Sequence, residues 1–166
     1  LNGPGRDITV NLDVNGFHPM GVGHDGSGSM HISDGVTLPS TDGYVGYRSG
    51  STGVVTVSGA GSSWANSGDL YVGRHGNGSL SITGGGNVSS RYGYLGEHTT
   101  SVGTVTVSGI DSTWDNPSLL YVGRAGNGTL EITNGGAVGS FECYVGYEPD
   151  STGAVMVRGA GSTWDN

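Results

Sequence analysis

Apolar residues alternate with small polar ones in short runs along this chain, as in Leu80-Ser81-Ile82, Val105-Thr106-Val107, Leu130-Glu131-Ile132 and Val155-Met156-Val157. A period of two puts every second side chain on the same face, so each run predicts a short strand with one buried side. Clusters of Gly, Asn, Asp and Ser bound the runs, as in Gly76-Asn77-Gly78 and Asn134-Gly135-Gly136, and read as tight turns. Apolar residues nowhere recur at helical spacing for three turns, so no helix is expected.

The runs repeat. Trp64, Trp114 and Trp164 recur at a spacing of 50, as do Tyr44, Tyr94 and Tyr144, and the stretch Val22 to Ile32 aligns with Val72 to Ile82 and Val122 to Ile132. Each copy holds a weaker half-repeat: YVGRHGNGSLSITGG from Tyr71 resembles YLGEHTTSVGTVTVSG from Tyr94 once two residues are inserted. Val72 to Leu95 is a step of 23 and Leu95 to Val122 a step of 27, for a mean of 25. Strands of about five residues cannot bury a core alone, but stacking each on the next about 4.8 Å away completes both the hydrogen bonds and the apolar columns. The expected fold is therefore all-β, a parallel β-helix (β-solenoid) with about 25 residues per coil and a 50-residue sequence repeat. Six or so coils make a rod on the order of 30 Å long.

The inner columns are assigned to Val72, Leu80, Ile82, Val88, Leu95, Val105, Val107, Val122, Leu130, Ile132, Val138, Val145, Val155 and Val157. Counting one coil on from each tryptophan predicts a column in which Trp64, Val88, Trp114, Val138 and Trp164 alternate large with small. Residues 1–166 read as one solenoid, a segment of a longer array or a stacking subunit, with 1–20 a divergent first coil. Val14 stands there at the Trp position, and the strand Ile8 to Val14 alternates out of register. The ends are expected to lack true caps, with Trp164 covered by further repeats or by the Ile8 to Val14 strand of another copy, head to tail.

Composition narrows the class. Glycine supplies 35 of 166 residues, far above the usual share of about 7%, and without the collagen period, so many positions must need backbone angles that Gly tolerates. The net charge is −8, no lysine occurs and the six arginines are scattered, which leaves no footprint for nucleic acid. No apolar run reaches about 18 residues, so no membrane insertion by this segment is expected. Cys143, the single cysteine, has no partner for an internal disulfide and reads as a small buried thiol.

Titratable clusters offer little chemistry. Some parallel β-helices cleave polysaccharides with carboxylates on one outer face, and the best such group here is Glu97, His98, Glu148 and Asp150. Glu97 corresponds to Tyr47 and Tyr147, and copies one full repeat apart are two coils, about 10 Å, apart, so the group reads as a solvated edge. Asp25 is the nearest approach to a calcium-binding β-roll pattern, yet its counterparts are His75 and Ala125. Gly21, Gly23 and Gly26 match G-x-G-x-x-G with no helix after them and read as turns. The histidines at 18, 24, 31, 75 and 98 share no metal-ligand spacing. Asn77, Asn87 and Asn127 open glycosylation sequons that turn composition alone produces. No catalytic, cofactor-binding or metal-binding residue is assigned.

The stretches WANSGDLYVGRHGNGSLSITGGGNV (Trp64 to Val88) and WDNPSLLYVGRAGNGTLEITNGGAV (Trp114 to Val138) resemble the glycine-rich passenger repeat of Gram-negative autotransporters and PEP-CTERM-sorted exported proteins. The resemblance covers the chain from about residue 20 and implies a parallel β-helix outside the cell, commonly an adhesin or a stalk, without catalytic residues. The expectation is a non-catalytic structural or adhesive rod of a bacterial surface or secreted protein. A self-assembling extracellular filament is the alternative, and a carbohydrate-active enzyme a third class. Its partners would be further repeats of the same protein or head-to-tail copies, with a host or matrix glycan or protein that the residues do not identify. An export signal is expected upstream of Leu1.

Overall fold

A computed structural model describes residues 18–166; the strand Ile8 to Val14 lies outside them. In chain order the strands are β1 (Met20–Val22), β2 (Ser27–Ile32), β3 (Thr37–Ser40), β4 (Gly43–Val45), β5 (Thr52–Ser58), β6 (Ser63–Asn66), β7 (Leu70–Val72), β8 (Asn77–Thr83) and β9 (Asn87–Ser89). They continue with β10 (Gly93–Leu95), β11 (Val102–Ser108), β12 (Thr113–Val122), β13 (Asn127–Thr133), β14 (Ala137–Val145), β15 (Thr152–Arg158) and β16 (Thr163–Asp165). Every pairing among them is parallel, and no helix occurs among the described residues. The chain is a β-solenoid of about six turns with three walls per coil.

The middle wall is the longest and the most regular. It is a six-stranded sheet in the order β2, β5, β8, β11, β13, β15. Ile32, Val57, Ile82, Val107, Ile132 and Val157 are successive register partners in it, at a constant sequence step of 25. The other two walls join in one ten-stranded sheet, because β12 and β14 turn the corner without a break, with a register shift between Asn116 and Leu119. On the first wall the step alternates: Val22, Val45, Val72, Leu95, Val122 and Val145 pair in turn, at intervals of 23 and 27. The two half-repeats thus each make one coil, and the difference in their length is spread over the turns.

The third wall carries the predicted column. Leu38, Trp64, Val88, Trp114, Val138 and Trp164 lie in register, so a valine separates successive indoles. Facing it on the first wall, Leu70 and Leu120 alternate with Gly43 and Gly93. The glycines are required by the tryptophans, since a Cβ on Gly93 would stand 2.8 Å from both Trp114 and Leu120. Cys143 takes the same position in the next copy.

Trp64, Trp114, Leu70, Leu80, Ile82, Leu95, Leu120, Leu130 and Ile132 have no more than 1% of their surface exposed. Each side chain of this kind contributes roughly 1.5–3 kcal/mol on burial, and together they form one core that runs along the axis. Three predicted core residues depart from that picture. Val145 is 47% and Val157 43% exposed, and Val155 is half-buried. They occupy the predicted columns, but they lie in the last described coil, and among the described residues none stacks on their open side. Val22, Ile32, Val45, Val55, Val57, Leu70 and Leu120 join the core beyond the prediction.

Candidate functional site

Alternation on the first wall turns one tyrosine outward in each coil after the first, where Gly21 holds the position. Val45, Val72, Leu95 and Val122 point in, so Tyr44, Tyr71, Tyr94, Tyr121 and Tyr144 point out, all in register. Their rings overlie one another with centroids 5.1, 4.8, 5.3 and 5.3 Å apart and interplanar angles of 9°, 6°, 3° and 19°. The faces of the inner rings are therefore covered by their neighbours, and their edges and hydroxyls meet solvent. Tyr71 donates its hydroxyl proton to Asp69 at 3.1 Å, and Tyr144 donates to Glu142. Burial, followed by the charge of Asp69, pushes Tyr94 up to about 12 and raises Tyr71 further. These phenols stay protonated through the neutral range.

Beside the ladder, just past the glycine that ends each first-wall strand, runs a charged column. Backbone hydrogen bonds from Tyr47 to Gly23, Arg74 to Gly46, Glu97 to Gly73, Arg124 to Gly96 and Tyr147 to Gly123 set its order as His24, Tyr47, Arg74, Glu97, Arg124, Tyr147. Glu97 is held from both sides: Arg74 Nε donates to Oε2 at 3.0 Å and Arg124 Nη1 to Oε1 at 3.4 Å. Arg74 also covers the rings of Tyr47 and Tyr71, 5.0 and 5.3 Å from their centroids. In the next column out, His75 stacks on His98 with centroids 3.8 Å apart. Desolvation, then the nearness of His98 and Arg74, lowers the pKa of His75.

The structure brings part of the predicted acidic group together. Glu97 and His98 approach to 3.6 Å, and Glu148 is linked to them only through Arg124, at 4.0 Å. Asp150 sits apart on an exposed turn with a φ of +67°. The solvated-edge reading is corrected for Glu97, whose side chain is only 8% exposed. Alignment at the full 50-residue period does not reveal this, because both arginine partners belong to the other half-repeat, at sequence offsets of 23 and 27. With both oxygens taken by guanidinium groups, this carboxylate has poor access to a substrate proton.

Asp25 pairs with His24 and Arg48, each at 2.9 Å, on the surface. Its pKa is lowered first by the hydrogen bond from His24. Gly21 lies within β1, and Gly23, at a φ of +67°, turns the chain out of it. Cys143 is half-buried, and desolvation pushes its thiol up to about 11, so little thiolate forms near neutrality. Among the described residues no group of three His, Cys, Asp or Glu could hold a metal ion. An open depression of about 520 Å3 lies beside the last coils, lined by Asp115, Asn116, Phe141 and Asp165 among others.

Two features are hidden at the level of the sequence. One is the full tyrosine ladder, whose rungs the 50-residue period displays as two separate sets, Tyr44, Tyr94 and Tyr144 in one and Tyr71 and Tyr121 in the other. The other is a polar network beneath each tryptophan, buried at Trp64 and Trp114 and partly exposed at Trp164. Trp64 Nε1 donates to Ser40 at 3.1 Å and Ser40 to Asn66 at 2.7 Å; Trp114, Ser90 and Asn116 repeat this at 3.3 and 2.6 Å, and Trp164, Ser140 and Asn166 at 3.2 and 2.8 Å. Its signal is the recurrence of Ser40, Ser90 and Ser140 at the period of the tryptophans, which a serine-rich chain obscures. Comparison of the chain with protein-family models, curated proteins and solved structures returns no match.

Proposed function

We propose that this chain is a non-catalytic structural and adhesive β-solenoid rod of a bacterial surface or secreted protein. The observation that carries the reading is what recurs at the 50-residue period. The repeated residues are those that bind coil to coil: the Trp–Ser–Asn networks, the alternating Trp and Val column, and the tyrosine ladder. Carboxylates mostly change identity from copy to copy, Asp115 and Asp165 excepted, and Glu97 is clamped by arginines. Repetition of stacking contacts supports a role in span and display, because each coil adds length and another row of outward side chains.

Incubation of the purified chain with a panel of acidic and neutral polysaccharides tests the non-catalytic half. Intact polymers are expected; depolymerisation that disappears in Glu97→Gln or Asp150→Asn overturns it. Display of the chain on a non-adherent bacterium tests the adhesive half, with increased attachment to glycan- or matrix-coated surfaces expected.

A second reading, a subunit of a self-assembling extracellular filament, draws on Val145 and Val157 in the last described coil. This apolar edge would be covered equally well by a further coil or by another copy. Particle length that grows with concentration in light scattering favours the filament, and constant length favours the rod.

A further inference from the structure

We propose that the tyrosine ladder is a covalent modification site, at which peroxide-driven one-electron oxidation joins neighbouring coils through dityrosine bonds, Tyr71 to Tyr94 first. The inference goes beyond a structural or adhesive role and does not depend on it. Coupling of two phenols requires two phenoxyl radicals side by side, with their ortho carbons free to meet. Tyr71 and Tyr94 are direct register partners with parallel rings 4.8 Å apart, the shortest step of the ladder. Both lie at the surface and are partly exposed, so a small oxidant reaches them and the rings can swing about their side-chain bonds. The buried indoles of Trp64 and Trp114, with no exposed surface, are shielded from direct attack.

The site also supplies a proton acceptor. Oxidation of a phenol releases its hydroxyl proton with the electron, and Asp69 already accepts that hydrogen bond from Tyr71 at 3.1 Å. One electron leaves Tyr71 as its proton passes to Asp69 and on to solvent. A second electron leaves Tyr94 with its proton going to water. The two radicals form one carbon–carbon bond between ortho positions, and the hydrogen on each joined carbon shifts to its own oxygen to restore the phenols. In sum, two tyrosines and one hydrogen peroxide give one dityrosine and two waters. The bond ties one coil to the next, a cross-link that shortens the free loop of the unfolded chain as a disulfide does.

The test treats the whole purified chain at low concentration with hydrogen peroxide and a peroxidase. The result expected is dityrosine fluorescence, a mass loss of two hydrogens per cross-link, unchanged monomer size, and a cross-linked peptide joining Tyr71 to Tyr94 as the main product. Tyr94→Phe removes that peptide while Tyr92→Phe, off the ladder, leaves it, with β-sheet circular dichroism confirming that both variants fold. The same treatment in denaturant provides a control that needs no variant. Equal intrachain yield from the denatured chain overturns the proposal, as does a product that is wholly interchain or a folded-chain map in which ladder pairs are not enriched.

Discussion

Trp114 donates its indole proton to Ser90 in the coil beneath, at 3.3 Å, and both residues are almost wholly buried. Ser90 in turn donates to Asn116 Oδ1, so one hydroxyl serves two buried groups. Ser90→Ala therefore strands an indole N–H and removes a donor from a buried amide. A loss of about 1–3 kcal/mol is expected from an unsatisfied group of this kind, read as a lower denaturant midpoint with an unchanged slope. An exposed serine such as Ser79, changed to Ala, should alter stability by less than about 0.5 kcal/mol.

Gly73 and Gly50 share a left-handed backbone, with φ of +73° and +80°, but not the same surroundings. A Cβ on Gly73 would fall 2.1 Å from the Val102 carbonyl oxygen of the next coil, whereas nothing lies within 4 Å of one on Gly50. Gly50→Ala should carry only the backbone cost, about 1 kcal/mol. Gly73→Ala should cost several-fold more, because the coils themselves must separate. Thermal unfolding of the two variants in parallel checks the ratio.

Glu97→Gln leaves Arg74 and Arg124 facing each other without their shared anion. The arginines are 28% and 37% exposed, so solvent screens part of the penalty, and about 1–2 kcal/mol is expected in place of the larger cost of a fully buried pair. Added salt should recover part of the loss in the variant by screening the two cations. A variant as stable as the parent at low salt would show that the clamp adds nothing.

The tyrosines fix the alkaline limit. Tyr94 is raised to about 12 and Tyr71 is raised as well, while tyrosine in the unfolded chain ionises near 10. A raised folded pKa gives stability that is complete below the unfolded value and is lost as pH climbs from about 10 toward 12. Absorbance of tyrosinate should lag the denatured chain above about pH 10 and rise together with the loss of β-sheet signal. Coincident titration of folded and denatured chains would contradict the partial desolvation of the stacked phenols.

Much of the fold is legible in the sequence because its strongest determinants are local or strictly periodic. The alternation at Leu80-Ser81-Ile82 names a strand and its inner face, and the 50-residue spacing of Trp64 and Trp114 with a half-repeat between them places Val88 in the gap. The candidate site is less legible because its partners meet across coils at sequence offsets of 23 and 27, not at the full period. Arg74, Glu97 and Arg124 become neighbours only once the half-repeats are laid over each other, and the same overlay puts His75 on His98. Tyr71 and Tyr94 align as half-repeat equivalents, yet the outward stacking of their rings follows from which neighbours point inward. Val145 and Val157 show the opposite limit, since period gives a residue's column but not whether another coil covers it.

A coil that holds one half-repeat is the premise on which all of these contacts depend, and distances between nitroxide labels measure it directly. Thr56, Ser81 and Thr106 are successive partners on the outer face of the middle wall, and Cys143→Gly clears the native thiol by restoring the residue found at positions 43 and 93. Labels placed by cysteine substitution at 81 and 106 should show strong dipolar broadening, with backbones about 4.8 Å apart, and labels at 56 and 106 weaker broadening at about twice that distance. Stronger broadening for the 56 and 106 pair than for the 81 and 106 pair would mean that one coil takes up the whole repeat, and would contradict the account.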